Sequence, residues 1–268
     1  MAVVHLVAQL AGADAVAATT QVLLMPLLAA VLWFETSSPR HRLTTLVLVA
    51  LVLSWLGDSA PKLTDGDAAF LVMIGFFLLA QVAYIAAFLP FRNRSVLHVH
   101  RPLLLVYVGA VVALVLACAS GAAGMLVPVL VYGACLGTMA VLATGVNRLT
   151  ALGGALFLVS DGLIALGAFA SGFDLPVEGF WVMSTYVAGQ VLLVLGVLRE
   201  QDAADAPPAT PDAVRSRWAD GIRRGRAGVQ RPRSRPMSSF MISFEPAQIL
   251  VTRASRQARA TRYSFMKP

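Results

Sequence analysis

The sequence predicts an all-α protein, a polytopic transmembrane helical bundle with about seven spans. Of its 268 residues, 58% are apolar and 13% are charged, whereas a soluble domain carries about 25% charged residues. A helix needs about 20 mainly apolar residues to cross a bilayer. The segments that approach this length are 18–34, 43–60, 68–89, 103–119, 125–145, 151–171 and 180–198.

The residues before the first segment do not add a span. They include His5, Gln9 and Asp14 and lack a basic start, so they are not typical of a cleaved signal peptide. We therefore expect the first membrane helix to begin close to residue 18.

The loops between the segments alternate in charge. Basic residues concentrate in cytoplasmic loops, and here they occupy the first, third and fifth loops. The residues concerned are Arg40, Arg42, Arg92, Arg94, Arg101 and Arg148. The second and sixth loops, 61–67 and 172–179, are mainly acidic. Seven spans with the N-terminus outside and the C-terminus in the cytoplasm fit this pattern, and six or eight would break it.

The last part of the chain differs in composition from the rest. Residues 199–268 carry a net charge of +8, and residues 1–198 carry −1. We expect a transmembrane domain over 1–198 and a basic, largely disordered cytoplasmic tail over 199–268. The tail could also contact anionic lipids, and its charge does not indicate nucleic acid binding. Cys118 and Cys135 both lie in predicted spans, so no disulfide framework is expected.

The polar side chains that we select as candidates lie in four of the predicted spans. A carboxylate at the bilayer centre costs roughly 2.5–3.5 kcal/mol on insertion scales, and intramembrane ionisable residues indicate a functional site. The pattern of an Asp helix followed by a Gln and Tyr helix occurs twice, which is compatible with a parallel repeat. The side chains are Asp58, Gln81 and Tyr84, Asp161, and Tyr186 and Gln190.

Two shielded carboxyl groups without basic partners favour acid–base chemistry. Burial disfavours the ionised form, so one group can be a proton donor while the other is a base. Structural alternatives remain open. Asp58 could lie at a helix end among headgroups, and Asp161 could only bond Gln190 or Tyr186 across helices. The four Gln and Tyr residues could simply pack between helices.

Other site chemistries are not supported. The spans lack His, so no zinc site is expected, and we predict neither a metal nor a cofactor. A retinal protein needs a lysine in its last span, but the lysines are Lys62 and Lys267.

Four motifs in order resemble the YhhN-like family of multi-spanning proteins, which includes the lysoplasmalogenases. They are "SWLGDSA", "GFFLLAQVAY", "GGALFLVSDGLIA" and "YVAGQVLLV". The resemblance covers about residues 23–198. It implies a helical bundle that hydrolyses the vinyl ether bond of lysoplasmalogens to a fatty aldehyde and a glycerophospho-headgroup. Two departures are Met25-Pro26 in place of Lys-Pro, and Gln81 where relatives often carry His.

The resemblance maps the family's acids onto Asp58 and Asp161, which we expect to be catalytic. Asp161, the deeper residue, is assigned as the acid and Asp58 as the base. The expected substrate-binding residues are Gln81, Tyr84, Tyr186 and Gln190.

The expected partners are a lysophospholipid-type substrate and membrane lipids, with no nucleic acid, and the sequence leaves the oligomeric state open. Arg outnumbers Lys 19 to 2, which is typical of a GC-rich bacterial genome and favours a plasma membrane location. The competing hypotheses are a proton-coupled transporter of a small solute or lipid and a non-catalytic lipid-binding protein.

Overall fold

The computed structural model describes residues 1–205, apart from the side chain of residue 67. These residues form eight α-helices and no strand. In chain order the helices are α1 Ala2–Leu10, α2 Asp14–Glu35, α3 Arg42–Ser59, α4 Gly66–Phe88, α5 Arg101–Ala122, α6 Leu126–Ala143, α7 Arg148–Phe169 and α8 Glu178–Ala204. The all-α prediction is confirmed.

Helices α2 to α8 are long and apolar enough to cross a membrane. By length and hydropathy α5 and α6 fall in one stretch, Arg101–Ala143, but the chain reverses between them. A 3-10 turn at Ala123–Met125 separates the two helices, and Val111 of α5 lies against Gly133 and Gly137 of α6. The stretch is therefore an antiparallel hairpin, so seven helices match the seven predicted spans.

Helices α7 and α8 pack closely against each other. A Cβ atom on Gly153 would lie 2.8 Å from the Gly189 carbonyl oxygen, and one on Gly189 would lie 3.0 Å from the Gly153 carbonyl oxygen. Small residues allow membrane helices to approach at this distance. At the start of α7, the Asn147 amide donates to the Gly196 carbonyl at 2.7 Å. These contacts fix α7 against α8 and so position Asp161.

The N-terminal residues form a short helix that packs on α2 and α8. Helix α1 has nine residues, too few to cross a bilayer. Its apolar face covers part of the bundle, and His5 is buried beneath it. The packing of α1 on α2 and α8 was not predicted, because its mixed apolar and polar composition does not indicate a buried helix.

The last helix extends past the predicted end of the membrane domain. Helix α8 continues through Ala204, so residues 199–204 are helical. Arg94 donates to Glu200 at 2.9 Å, which ties this extension to the residues after α4. The remainder of the predicted tail, residues 206–268, lies outside the described residues, and the predicted orientation stays a prediction.

Candidate active site

The two intramembrane carboxyl groups line one cavity of about 300 Å³. Asp58 lies in the last turn of α3 and is half-buried, and Asp161 lies in α7 and is 8% exposed. The cavity walls come from α2, α3, α4, α7 and α8. Asp58 and Asp161, which are 103 positions apart in the chain, thus line the same cavity.

Asp58 is held by a tyrosine from α8. The Tyr186 hydroxyl donates to Asp58 Oδ2 at 2.9 Å. Gln21 of α2 lines the cavity beside Asp58, and Lys62 lines it one helical turn further along the chain. Sequence reasoning had left both carboxyl groups without a basic partner, whereas the fold brings Lys62 to the same cavity as Asp58.

Asp161 is held by a tyrosine from α6. The Tyr132 hydroxyl donates to Asp161 Oδ2, and the neighbouring Ser160 hydroxyl donates to the Val182 carbonyl at 3.1 Å. The structural alternative for Asp161 was a hydrogen bond to Gln190 or Tyr186. Neither hydrogen bond forms within residues 1–205. Each carboxyl group therefore has one tyrosine donor and one oxygen without such a donor.

Tyr84 and Gln190 form a buried network beside the cavity. The Tyr84 hydroxyl donates to Gln190 Oε1 at 2.5 Å, and Gln190 Nε2 donates to Ser54 Oγ at 3.2 Å. Both side chains are fully buried, and neither lines the cavity. Of the four residues predicted to bind substrate, the structure places only Tyr186 on the cavity wall.

Gln81 lies on α4, fully buried near the Tyr132 hydroxyl. Neither its amide nitrogen nor its amide oxygen forms a hydrogen bond of normal geometry with residues 1–205. An unpaired buried amide is costly. Gln81 therefore packs against Tyr132, the donor to Asp161, and does not line the cavity.

Aromatic rings fix the position of Tyr186. Its ring lies 5.8 Å from Phe77 and 5.5 Å from Phe157, both in edge-to-face geometry. A Cβ atom on Gly57 would lie 2.8 Å from the Phe77 ring. The glycine before Asp58 therefore lets Phe77 approach, and the packed rings limit the movement of the Tyr186 hydroxyl.

A second, apolar cavity of about 50 Å³ adjoins the first on the other side of Asp161. Its walls come from α4, α5, α6 and α7, and it includes Tyr132 and Phe169. Asp161 and Phe77 line both cavities. Asp161 thus lies at the boundary between two cavities, of which the first has more polar side chains on its walls.

Sequence reasoning missed Tyr132, Gln21 and Lys62. Tyr132 and Gln21 lie inside predicted spans, so a complete list of polar side chains in the spans would have included them. Their contacts with the carboxyl groups depend on helix packing, for which no local signal exists. Among the described residues, no group of three His, Cys, Asp or Glu side chains could hold a metal ion.

The sequence model of the YhhN family matches residues 16–197. The chain is 31% identical to the lysoplasmalogenase of Mycobacterium tuberculosis over 61% of this chain and 64% of that protein. It is 31% identical to lysoplasmalogenase TMEM86B of Rattus norvegicus over 65% of this chain and 70% of the relative. It is 34% identical to lysoplasmalogenase TMEM86B of Homo sapiens over 64% of this chain and 71% of the relative.

The match covers less than two thirds of the length of the mycobacterial relatives. No solved structure was found to match the chain.

Proposed function

Since the chain belongs to the YhhN family, we propose that it is a membrane hydrolase that cleaves the vinyl ether bond of lysoplasmalogens. The products are a fatty aldehyde and glycerophosphoethanolamine or glycerophosphocholine. The names of the bacterial and mammalian relatives support this activity. The observation that carries the proposal is that Asp58 and Asp161 line one cavity.

Vinyl ether hydrolysis requires an acid and a group that stabilises positive charge. A proton adds to the alkene carbon that is not bonded to oxygen, and the positive charge spreads onto the ether oxygen. Water then adds to the cationic carbon and loses a proton, and the hemiacetal breaks its bond to glycerol. Glycosidases solve the same charge problem with two carboxyl groups.

Asp161 is the acid in this proposal. It is almost completely buried and borders the apolar cavity, which favours a neutral carboxyl group next to the hydrocarbon end of the substrate. Because Tyr132 donates to Oδ2, Oδ1 is left to carry the proton. A positioned acid of this kind contributes roughly 10²–10⁴-fold to a rate.

Asp58 stabilises the cation and removes the proton from water. It is more exposed than Asp161, and the cavity around it includes Gln21 and Lys62, so water reaches it more readily. Tyr186 donates to Oδ2 at 2.9 Å and leaves Oδ1 for the water molecule. The apolar cavity beyond Asp161 takes the first part of the alkenyl chain.

The test measures aldehyde release by the purified protein supplied with lysoplasmenylethanolamine. Asp58→Asn and Asp161→Asn are each expected to lower kcat by at least roughly 10²-fold, since each removes a catalytic carboxyl group. Asp174→Asn is the matched control because Asp174 is exposed in the loop between α7 and α8. A wild-type protein that releases no aldehyde, or two site variants with full rates, would contradict the proposal.

The solvent isotope identifies the bond that is formed. In D₂O, protonation of the alkene carbon places one deuterium on the carbon next to the aldehyde group. Mass spectrometry of the trapped aldehyde is expected to show this deuterium. Aldehyde without it would exclude protonation at carbon, even if hydrolysis occurs.

A further inference from the structure

We infer that Lys62 forms a binding subsite for the phosphate of a lysophospholipid headgroup at the mouth of the site cavity. This rests on the proposed function and extends it, because it makes the phosphate, and not only the vinyl ether, a determinant of substrate choice. Neither the family resemblance nor the names of the relatives assigns a role to this residue.

The position of Lys62 relative to Asp58 follows from helix geometry. Helix α3 ends at Ser59 and continues directly into a 3-10 turn at Ala60–Leu63. Residues four apart in a helix lie on one face, about 6 Å apart along the axis. Both side chains line the same cavity, and Lys62 is the exposed one. The ammonium group therefore lies at the outer edge of the cavity.

Lys62 has unused hydrogen-bonding capacity. Its Nζ donates to the Ala18 carbonyl at 3.3 Å, and an ammonium group has three donors. The Ala18 contact holds the side chain against α2 beside the cavity. The remaining donors can donate to a further oxygen ligand, and phosphate oxygens are strong acceptors for lysine.

The distribution of charge in the bundle makes Lys62 unusual. Within residues 1–205 it is the only Lys or Arg side chain at the end where α3 finishes and α4 begins. Every arginine of that part of the chain lies at the opposite end, in the connections that follow α2 and α4, at the first residue of α3, α5 or α7, or near the end of α8. A phosphate entering this cavity can therefore pair only with Lys62 among these side chains.

The dimensions of the substrate fit this arrangement. In a lysoplasmalogen the three carbons of glycerol separate the ether oxygen from the phosphate oxygen. That length is comparable to the single helical turn, about 6 Å, from Asp58 to Lys62. With the phosphate on Lys62, the vinyl ether lies between Asp58 and Asp161, and the chain continues into the apolar cavity. Asp58 lies deeper in the cavity than Lys62, so the phosphate can contact the ammonium group without passing the Asp58 carboxyl group.

The test compares two substrates with the same alkenyl chain. Lysoplasmenylethanolamine carries the phosphate, and 1-alkenylglycerol does not. For Lys62→Met the ratio of kcat/KM for the phospholipid to that for the alkenylglycerol is expected to fall about tenfold, which corresponds to about 1.4 kcal/mol. Lys62→Arg keeps the charge and is expected to restore most of that ratio. An unchanged ratio would overturn the inference. Equal losses on both substrates would also overturn it, because they would mean that Lys62 only stabilises the fold through its contact with Ala18.

A binding measurement separates this inference from the proposed activity. Saturated alkyl lysophosphoethanolamine has no vinyl ether and cannot be hydrolysed by this chemistry, and alkylglycerol is its control without phosphate. Lys62→Met is expected to weaken binding of the first about tenfold more than binding of the second. If the wild-type protein hydrolyses neither vinyl ether, the proposed function fails while this measurement still tests the subsite. Competition by glycerophosphoethanolamine but not by inorganic phosphate would identify the lipid headgroup as the ligand; the reverse would overturn that assignment.

Discussion

At the level of single residues, the two carboxyl groups share one feature, a hydrogen bond from a tyrosine. Asp58 accepts a hydrogen bond from Tyr186 and Asp161 accepts one from Tyr132. In both cases the tyrosine belongs to a different helix, so each carboxyl group links two helices as well as lining the cavity. The two differ in exposure and in neighbours, and this difference gives them distinct roles in the proposed reaction.

Removing the tyrosine donor should reduce catalysis without removing the carboxyl group. A hydrogen bond to a charged group contributes about 1.5–3 kcal/mol, so Tyr186→Phe is expected to lower kcat by roughly 10- to 100-fold because Asp58 loses its orientation. The measurement is aldehyde release, with thermal unfolding as a check on folding. Thr185→Val is the matched control, since it removes the neighbouring hydroxyl of α8, which donates to the Trp181 carbonyl at 2.8 Å and lines neither cavity. A Tyr186→Phe rate equal to that of Thr185→Val would exclude this role.

At the level of elements, α1 is attached to α2 through a buried histidine. His5 Nδ1 lies 3.0 Å from the Ala17 carbonyl oxygen and 2.9 Å from Thr20 Oγ1. Thr20 gives its own proton to the Val16 carbonyl at 2.6 Å, so His5 is the donor through Nδ1. Its Nε2 is buried and has no hydrogen-bond partner among the described residues.

The attachment of α1 should depend on pH. Burial lowers the pKa of His5 below its ordinary value of 6.5; the hydrogen bond to Ala17 opposes this, and the charge of Lys62 adds to it. Well above pH 6.5, His5 is neutral in both the folded and the unfolded states. As the pH falls below 6.5, His5 takes up a proton more readily in the unfolded state, so acid favours the detachment of α1. Hydrogen exchange of α1 amides, after correction for intrinsic rates, should therefore show less protection at about pH 5.5 than at about pH 7.5.

The control for this prediction is a neutral side chain at the same position. His5→Asn is expected to remove most of the pH dependence, and the exposed His98, replaced in the same way, should leave it unchanged. Equal pH dependence in the wild type and in His5→Asn would assign the effect to another group.

The hairpin of α5 and α6 forms a groove that could set the chain length of the proposed substrate. The apolar cavity has a volume of about 50 Å³, far below the roughly 300–1,000 Å³ of a typical ligand pocket. Gly133 lines both this cavity and an exposed groove of about 310 Å³ between α5 and α6. A long alkenyl chain would therefore pass Gly133 and continue into the groove.

A larger side chain at Gly133 should shift the preference towards short chains. Gly133→Leu is expected to lower kcat/KM for a long-chain lysoplasmalogen by roughly tenfold relative to a short-chain one, an effect of about 1.4 kcal/mol. Gly133→Ala is the control, because its Cβ atom would lie 3.7 Å from Val111, an ordinary contact. Equal losses on long and short chains would mean that the chain does not pass this residue.

At the level of the whole molecule, the sequence predicts the helices better than their contacts. Span length and hydropathy are local properties, so the seven spans and the two intramembrane carboxyl groups are evident from composition and position. The partners of those groups are not local, since Tyr132 is 29 residues from Asp161 and Tyr186 is 128 residues from Asp58. The docking of α1 likewise depends on the surface formed by α2 and α8.

The orientation of the bundle decides which side of the membrane supplies the proposed lysolipid substrate. Residues 1–205 carry their arginines at one end and Lys62, with the mouth of the site cavity, at the other. Because basic residues concentrate on the cytoplasmic side, the cavity is expected to open towards the outside. Lysolipid in the outer leaflet would then reach the site directly, and substrate made inside the cell would first have to cross the bilayer.

Single cysteines at the two ends test this orientation. Thr64 and Asn93 are exposed, follow α3 and α4 respectively, and so lie at opposite ends. In intact cells a membrane-impermeant maleimide is expected to label Thr64→Cys, and to label Asn93→Cys only after permeabilisation. The parent chain gives the background, since its native Cys118 and Cys135 lie within α5 and α6. Labelling of Asn93→Cys but not Thr64→Cys in intact cells would reverse the orientation and place the site on the cytoplasmic side, where the substrate would come from the inner leaflet.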